Sequence, residues 1–200
     1  MYTLISGSPK PTNSNSLCFL KNISHKVDDY KLFELKHKKY EDILENIKKS
    51  DSIIFAFPLY VDSPTSITLA FLDYIKDKKI KFENKLIYVV INCGFREGEQ
   101  NITALNIIKI WCEKVNATYS GALLIGAGEI VGKEEYKLIS KKALKKLNEF
   151  TQKIQAKEKS DDIITTMDYI NNNLFCYIAN KWWKKKCKNN GLTDKDIRVK

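Results

Sequence analysis

Ile5-Ser6-Gly7-Ser8-Pro9-Lys10-Pro11-Thr12-Asn13-Ser14-Asn15-Ser16 joins a short apolar run, Tyr2–Ile5, to a segment with Leu17, Leu20 and Ile23 at helical spacing. The order is strand, polar loop, helix N-terminus. Such a turn points unpaired backbone N–H groups and the positive end of a helix dipole at whatever occupies it, and its hydroxyls and amides add donors. The stretch therefore reads as an anion cradle. Neither G-x-x-x-x-G-K-[ST] nor G-x-G-x-x-G occurs in it. Its one lysine is followed by no metal-binding Ser or Thr, so the loop suits a single terminal phosphate better than a Mg-triphosphate. The plainer reading is a polar β–α turn that holds nothing.

Working outward, the chain alternates strands and helices. Tyr30–Leu35 is a short strand candidate, Lys36–Lys39 a basic connector and Tyr40–Lys49 a short helix. Ser52-Ile53-Ile54-Phe55-Ala56 and the Leu-Ile-Tyr-Val-Val-Ile run within Lys85–Asn92 are unbroken apolar segments of strand length, as expected of parallel strands covered on both faces. Helices are expected over about 65–76, with Pro64 in its first turn, then after Gln100, and over about 134–157. Thr118–Ile125 is a fifth strand, and Ile125–Gly132 its exit loop. Gly126-x-Gly128-x-x-x-Gly132 lacks the spacing of a dinucleotide fingerprint and reads as a turn.

Five strands alternating with five helices predict an α/β fold, a three-layer sandwich around a five-stranded parallel sheet of flavodoxin-like order 2-1-3-4-5. In that order ligands bind at the carboxyl ends of the strands beside the switch point. The unusual loops 6–16, 57–64 and 92–100 follow strands one, three and four, so they converge on one crevice. The first takes a phosphate. Phe57-Pro58-Leu59-Tyr60-Val61-Asp62-Ser63-Pro64 offers a rigid apolar backbone and an aromatic ring. The third offers free N–H groups around Cys93-Gly94-Phe95. A flat hydrogen-bonding ring carrying one phosphate fits this set, and FMN is the obvious candidate. The hydride chemistry would belong to the cofactor, so no catalytic residue is assigned. Tyr60 instead packing on the sheet end, Cys93 as a small buried residue rather than a redox thiol, and Phe95 as core are the plainer alternatives. Glu97, Glu99 and Gln100 cap a helix on that view.

Gly7-Ser8-Pro9-Lys10 with Asn13-Ser14-Asn15-Ser16, followed by Phe57-Pro58-Leu59-Tyr60 and by Phe71-Leu72-Asp73, resembles the flavodoxin-fold NAD(P)H-dependent FMN reductases and NAD(P)H quinone reductases over roughly residues 1–155. The resemblance implies an oxidoreductase that takes a hydride from NAD(P)H onto FMN and passes electrons to a small acceptor such as a quinone, flavin or nitro compound. It implies the FMN phosphate on Ser8, Lys10, Asn13, Asn15 and Ser16. The ring would rest against Pro58, Leu59, Tyr60 and Val61 and against Asn92, Cys93, Gly94 and Phe95. It also implies a homodimer with the flavin near the interface. The compact cysteine motif of the iron–sulfur branch is absent, so no cluster is expected. The other class is a non-enzymatic flavodoxin-type electron carrier, against which the pI of about 9.2 argues.

Composition sets the remaining bounds. The 200 residues are 44% hydrophobic and 29% charged, enough apolar surface for one domain, 1–157, with an appendage over 158–200. No signal peptide or bilayer-length apolar run is visible, so a cytoplasmic location is expected. The five cysteines are odd in number and form no C-x-x-C, and neither histidine is near them in sequence, so no metal site is expected. His25 and His37 read as surface residues. Of the net charge of +10, residues 133–200 carry 17 Lys+Arg and 9 Asp+Glu, or +8, and residues 1–132 carry 17 and 15, or +2. In the appendage Ile163, Met167, Ile170, Leu174 and Ile178 repeat at helical spacing towards Trp182-Trp183 and a lysine run. The expectation is a helix packing its apolar face on the sheet domain or a second subunit. Contact with an anionic membrane surface or attraction of an anionic electron partner are the alternatives. Nucleic-acid binding has charge but no motif behind it and is not expected.

Overall fold

The computed structural model describes residues 1–131, 140–168, 170–193 and 196. Its elements, in order, are β1 (Tyr2–Ser6), α1 (Asn15–Ser24), β2 (Tyr30–Glu34), α2 (Tyr40–Lys49), β3 (Ser52–Pro58), α3 (Ser66–Asp77), β4 (Leu86–Asn92), α4 (Ile102–Lys114), β5 (Thr118–Ile125), the single turn α5 (Gly128–Val131), α6 (Lys141–Gln155), β6 (Ile163–Thr165) and α7 (Asn172–Asn189). The strands form one parallel sheet of order β2-β1-β3-β4-β5-β6.

Alternation along the central strands builds the layers. Ile53, Phe55 and Phe57 of β3 and Ile87, Val89 and Ile91 of β4 face one core, with Ile43 and Ile47 of α2, Phe71 and Ile75 of α3, and Ile108 and Trp111 of α4. Ile54, Ala56, Tyr88 and Val90 face the other, with Phe19, Leu20 and Ile23 of α1 and Leu147, Phe150 and Ile154 of α6. Both faces are covered, which is why these strands read as continuous apolar runs. Trp111 stands edge-on to Phe55 and Phe82, and its buried Nε1–H donates to Leu72 O at 3.1 Å, so the largest core side chain carries no orphan donor.

The sheet has six strands where five were expected. β6 pairs with β5 from Leu123↔Ile163 to Ile125↔Thr165. Ile163 is therefore a strand residue, not the start of a helical stripe. Three residues are too few to show a period, and pairing with an exposed sheet edge decides their conformation. Asp162 holds the strand in place, accepting from Lys109 Nζ at 2.6 Å and from the Tyr119 hydroxyl. Smaller differences are local. Phe19, not Leu17, joins Leu20 and Ile23 on the buried side of α1, and Pro64 lies just outside α3, whose cap is Thr65. Part of the helix expected over 134–157, and Gly132, lie outside the described residues.

The chain divides into two compact units, Met1–Thr166 and Met167–Lys200. The second is built on α7, capped by Asn171, whose side chain accepts from Leu174 N–H at 2.8 Å. No residue of α7 is buried. Trp182 and Trp183 meet edge to face at 5.0 Å, and Lys186 Nζ lies 3.8 Å from the Trp182 ring centre. No described helix is long and apolar enough to cross a membrane.

Candidate functional site

The carboxyl ends of β1, β3 and β4 open into one pocket. Ser8, Lys10, Ser14, Asn15 and Ser16 line it from the first loop, Pro58, Leu59 and Tyr60 from the second, Asn92, Cys93 and Gly94 from the third, and Glu129 from α5. Ten of the thirteen residues expected in the site meet there. Asn13, Val61 and Phe95 are exposed and do not line it.

Close packing sets the path of the first loop. Gly7 N–H donates to Ala56 O at 2.8 Å, and its carbonyl accepts from the Thr65 hydroxyl at 2.6 Å. A Cβ on Gly7 would sit 2.0 Å from Thr68 Oγ1 and 3.0 Å from Phe57 Cβ, so only glycine lets this loop rest on the start of α3. Asn13 turns the chain with φ 48°, and Ser14 then caps α1, its hydroxyl accepting from Leu17 N–H at 3.1 Å. The N–H groups of Ser8, Asn15 and Ser16 have no acceptor among the described residues. Three unpaired donors, a Ser8 side chain only 3% exposed and a lysine around one hollow are the donor set a phosphate monoester requires.

Lys36, read from sequence as part of a basic connector, clamps the loop from just beyond the end of β2. Its Nζ donates to Pro11 O at 2.6 Å and pairs with Glu34 at 2.8 Å. Nothing local predicts this, because β2 and the loop meet only through the parallel pairing of β1 and β2. Ser14 and Glu129 are likewise additions, the first legible as a helix cap and the second visible only once β5 lies beside β4.

Asn92 ties the three loops together. Its Nδ2 donates to Ser16 Oγ at 3.0 Å and to Phe57 O at 3.2 Å, and its backbone carbonyl accepts from Leu59 N–H at 2.8 Å. In the second loop Tyr60 and Ser63 exchange backbone hydrogen bonds across Val61 and Asp62, both in the left-handed region with φ 49° and 57°. A β-branched residue at positive φ is strained, and Val61 is 97% exposed. Tyr60 and Phe95 are also more than half exposed, so apolar groups stand around the mouth of the pocket.

The third loop differs from expectation at one donor. Cys93 N–H is not free: it donates to Ile125 O at 3.0 Å, while Gly128 N–H donates to Cys93 O and Ala127 N–H to Phe95 O. The N–H groups of Gly94 and Phe95 meet no acceptor among the described residues, and Gly94 has open space where a Cβ would lie. Burial pushes the Cys93 thiol up to about 11, outweighing its hydrogen bonds to Phe95 O and Asn101. Such a thiol stays protonated near pH 7 and is a weak nucleophile. No group of three His, Cys, Asp or Glu able to hold a metal occurs among the described residues.

The donor set and the unpaired amides beside it have the chemistry that FMN needs. Known proteins agree with the fold. The NADH:FMN oxidoreductase EmoB, in its apo form, superposes with a TM-score of 0.60 at 14% identity, over 80% of this chain and 90% of that one. An NADPH-quinone reductase from P. pentosaceus gives 0.59 at 17% identity, over 78% and 97%. A Fusobacterium nucleatum flavodoxin bound to flavin mononucleotide gives 0.55 at 16% identity, over 79% and 98%. No curated protein sequence matches this chain. The model of the NADPH-dependent FMN reductase family matches residues 3–110, which hold the loop between β1 and α1, the Pro58–Tyr60 segment and Asn92–Phe95. The chain belongs to the NADPH-dependent FMN reductase family and is an NAD(P)H-dependent flavin oxidoreductase with FMN as its cofactor.

Proposed function

We propose that FMN sits in the pocket where loops 6–16, 57–64 and 92–100 meet, and that the protein passes reducing equivalents from NAD(P)H to a small acceptor such as a quinone, free flavin or nitro compound. The observation that carries this is one pocket lined by Ser8, Asn15 and Ser16, by Gly94 and by Pro58 and Leu59, with the N–H groups of Ser8, Asn15, Ser16 and Gly94 meeting no acceptor among the described residues. Bound FMN supplies the hydride chemistry. The protein's part is to hold and orient. Ser8, Lys10, Asn15 and Ser16 bind the phosphate, with Asn13 turning the loop. Pro58, Leu59, Tyr60 and Val61 lie along one side of the ring, and Asn92 keeps the loops in register. The Gly94 and Phe95 N–H groups would be the donors available to the ring, and such donors favour negative charge by the logic of an oxyanion site.

The pocket encloses about 90 Å³, against the few hundred typical of a cofactor cleft. The exposed Tyr60, Val61 and Phe95 around it support a homodimer in which a second copy covers the ring. The deciding experiment is an absorption spectrum of the purified protein, taken with NADPH or NADH in the absence of oxygen. Flavin bands that bleach are expected. Bands that persist would make the protein a carrier needing a separate reductase, and a protein that refuses added FMN would end the reading of the pocket.

A further inference from the structure

Helix α7 has two unlike sides. At about 100° per residue, Phe175, Ile178, Trp182 and Trp183 fall in one half of its circumference, and Lys181, Lys184, Lys185 and Lys188 fall in the other together with Leu174 and Tyr177. The helix contains five lysines and no Asp or Glu. None of its residues is buried: Ile178 is 40% exposed and Trp183 56%. The one lysine on the apolar half, Lys186, sets its Nζ over the Trp182 ring, 3.8 Å from the ring centre, where the indole face attracts the charge.

We propose that α7 lies flat on an anionic lipid surface, its tryptophan side in the headgroup boundary and its lysines among the lipid phosphates. Charge names the occupant. A helix with four of its five lysines on one side, both tryptophans on the other and modest overall hydrophobicity is the composition that partitions to such an interface. A second α7 would bring five lysines against five with no carboxylate on either helix. The helix is too polar to span a bilayer, so it rests on the surface and does not cross it.

The test uses the full chain and phosphatidylcholine vesicles with and without about 30% phosphatidylglycerol, whose surface potential attracts roughly fivefold per lysine. Co-sedimentation with the anionic vesicles alone is expected, with a blue shift of tryptophan emission. Binding should fall at least about tenfold between about 0.05 and 0.5 M salt. The double variant Lys184→Glu/Lys188→Glu should bind at least about 25-fold more weakly. Trp182→Ala/Trp183→Ala should also lose vesicle binding while both variants keep FMN, which shows the sheet domain intact. Absence of vesicle binding by the unaltered chain overturns the proposal. So does equal binding to neutral and anionic vesicles. A dimer abolished by the tryptophan substitutions, or retention on nucleic acid without vesicle binding, would assign the face to those partners instead.

Discussion

At the scale of single residues, steric contact and backbone strain decide more than side-chain chemistry. Gly7 is the position with least freedom: Gly7→Ala would drive a methyl group into Thr68 and Phe57. It is expected to cost about 1–3 kcal/mol in a urea melt and to weaken FMN by an order of magnitude or more in a fluorescence titration, because the cradle must shift to make room. Val61 tests the opposite case. Its left-handed backbone is strained and its side chain is almost wholly exposed. Val61→Asn, a residue that tolerates this conformation, should raise stability by roughly 0.5–1 kcal/mol. If Val61 touches the ring, as proposed, the same variant binds FMN less tightly, and unchanged affinity would remove it from the site.

At the scale of elements, the site depends on how the ends of α1, α3, β3 and β4 are fastened to one another. Thr65 caps α3 and also donates to Gly7 O at 2.6 Å. Thr65→Ala thus removes a helix cap and a loop anchor together, and about 1–2 kcal/mol of stability should go with them. Asn92 joins α1 to β3 through two donated hydrogen bonds from a side chain that is 4% exposed. Asn92→Asp replaces both donors with acceptors and faces Phe57 O with a carboxylate. It should destabilise the fold by about 2–3 kcal/mol, more above pH 5 than below it, as measured by denaturant midpoints across that range.

At the scale of the whole molecule, pH reports on the core. Burial pushes Cys93 to about 11 and Cys112 to about 12. The unfolded chain's thiols ionise near their ordinary value of 9.0, so above it the folded state binds more protons than the unfolded state and stability falls as pH rises. The urea midpoint should therefore drop between about pH 8 and pH 10.5. Cys112→Ala should lower the midpoint at pH 8 yet flatten its decline, and an unchanged slope would count against the buried thiols as its cause.

Tyr2–Ile5, Ile53–Ala56 and Leu86–Ile91 were legible as strands because a strand buried on both faces must be apolar along its whole length, whatever surrounds it. The polar loop after the first of them was legible as a candidate anion cradle because it leads a run of Ser and Asn into a helix N-terminus. Once three such loops follow strands one, three and four, the order of the sheet forces them together, so most of the pocket followed from local chemistry and connectivity. What local chemistry could not carry were contacts between distant segments. Lys36 reaches Pro11 only because β2 lies against β1, and the Cys93 amide is spent on Ile125 only because β5 lies against β4. Ile163–Thr165 became a strand only because β5 left an open edge for it to pair with. Period and composition are properties of a segment and can be read along the chain. Hydrogen bonds between neighbouring strands and loops belong to pairs of segments, and only the tertiary structure decides which pairs form.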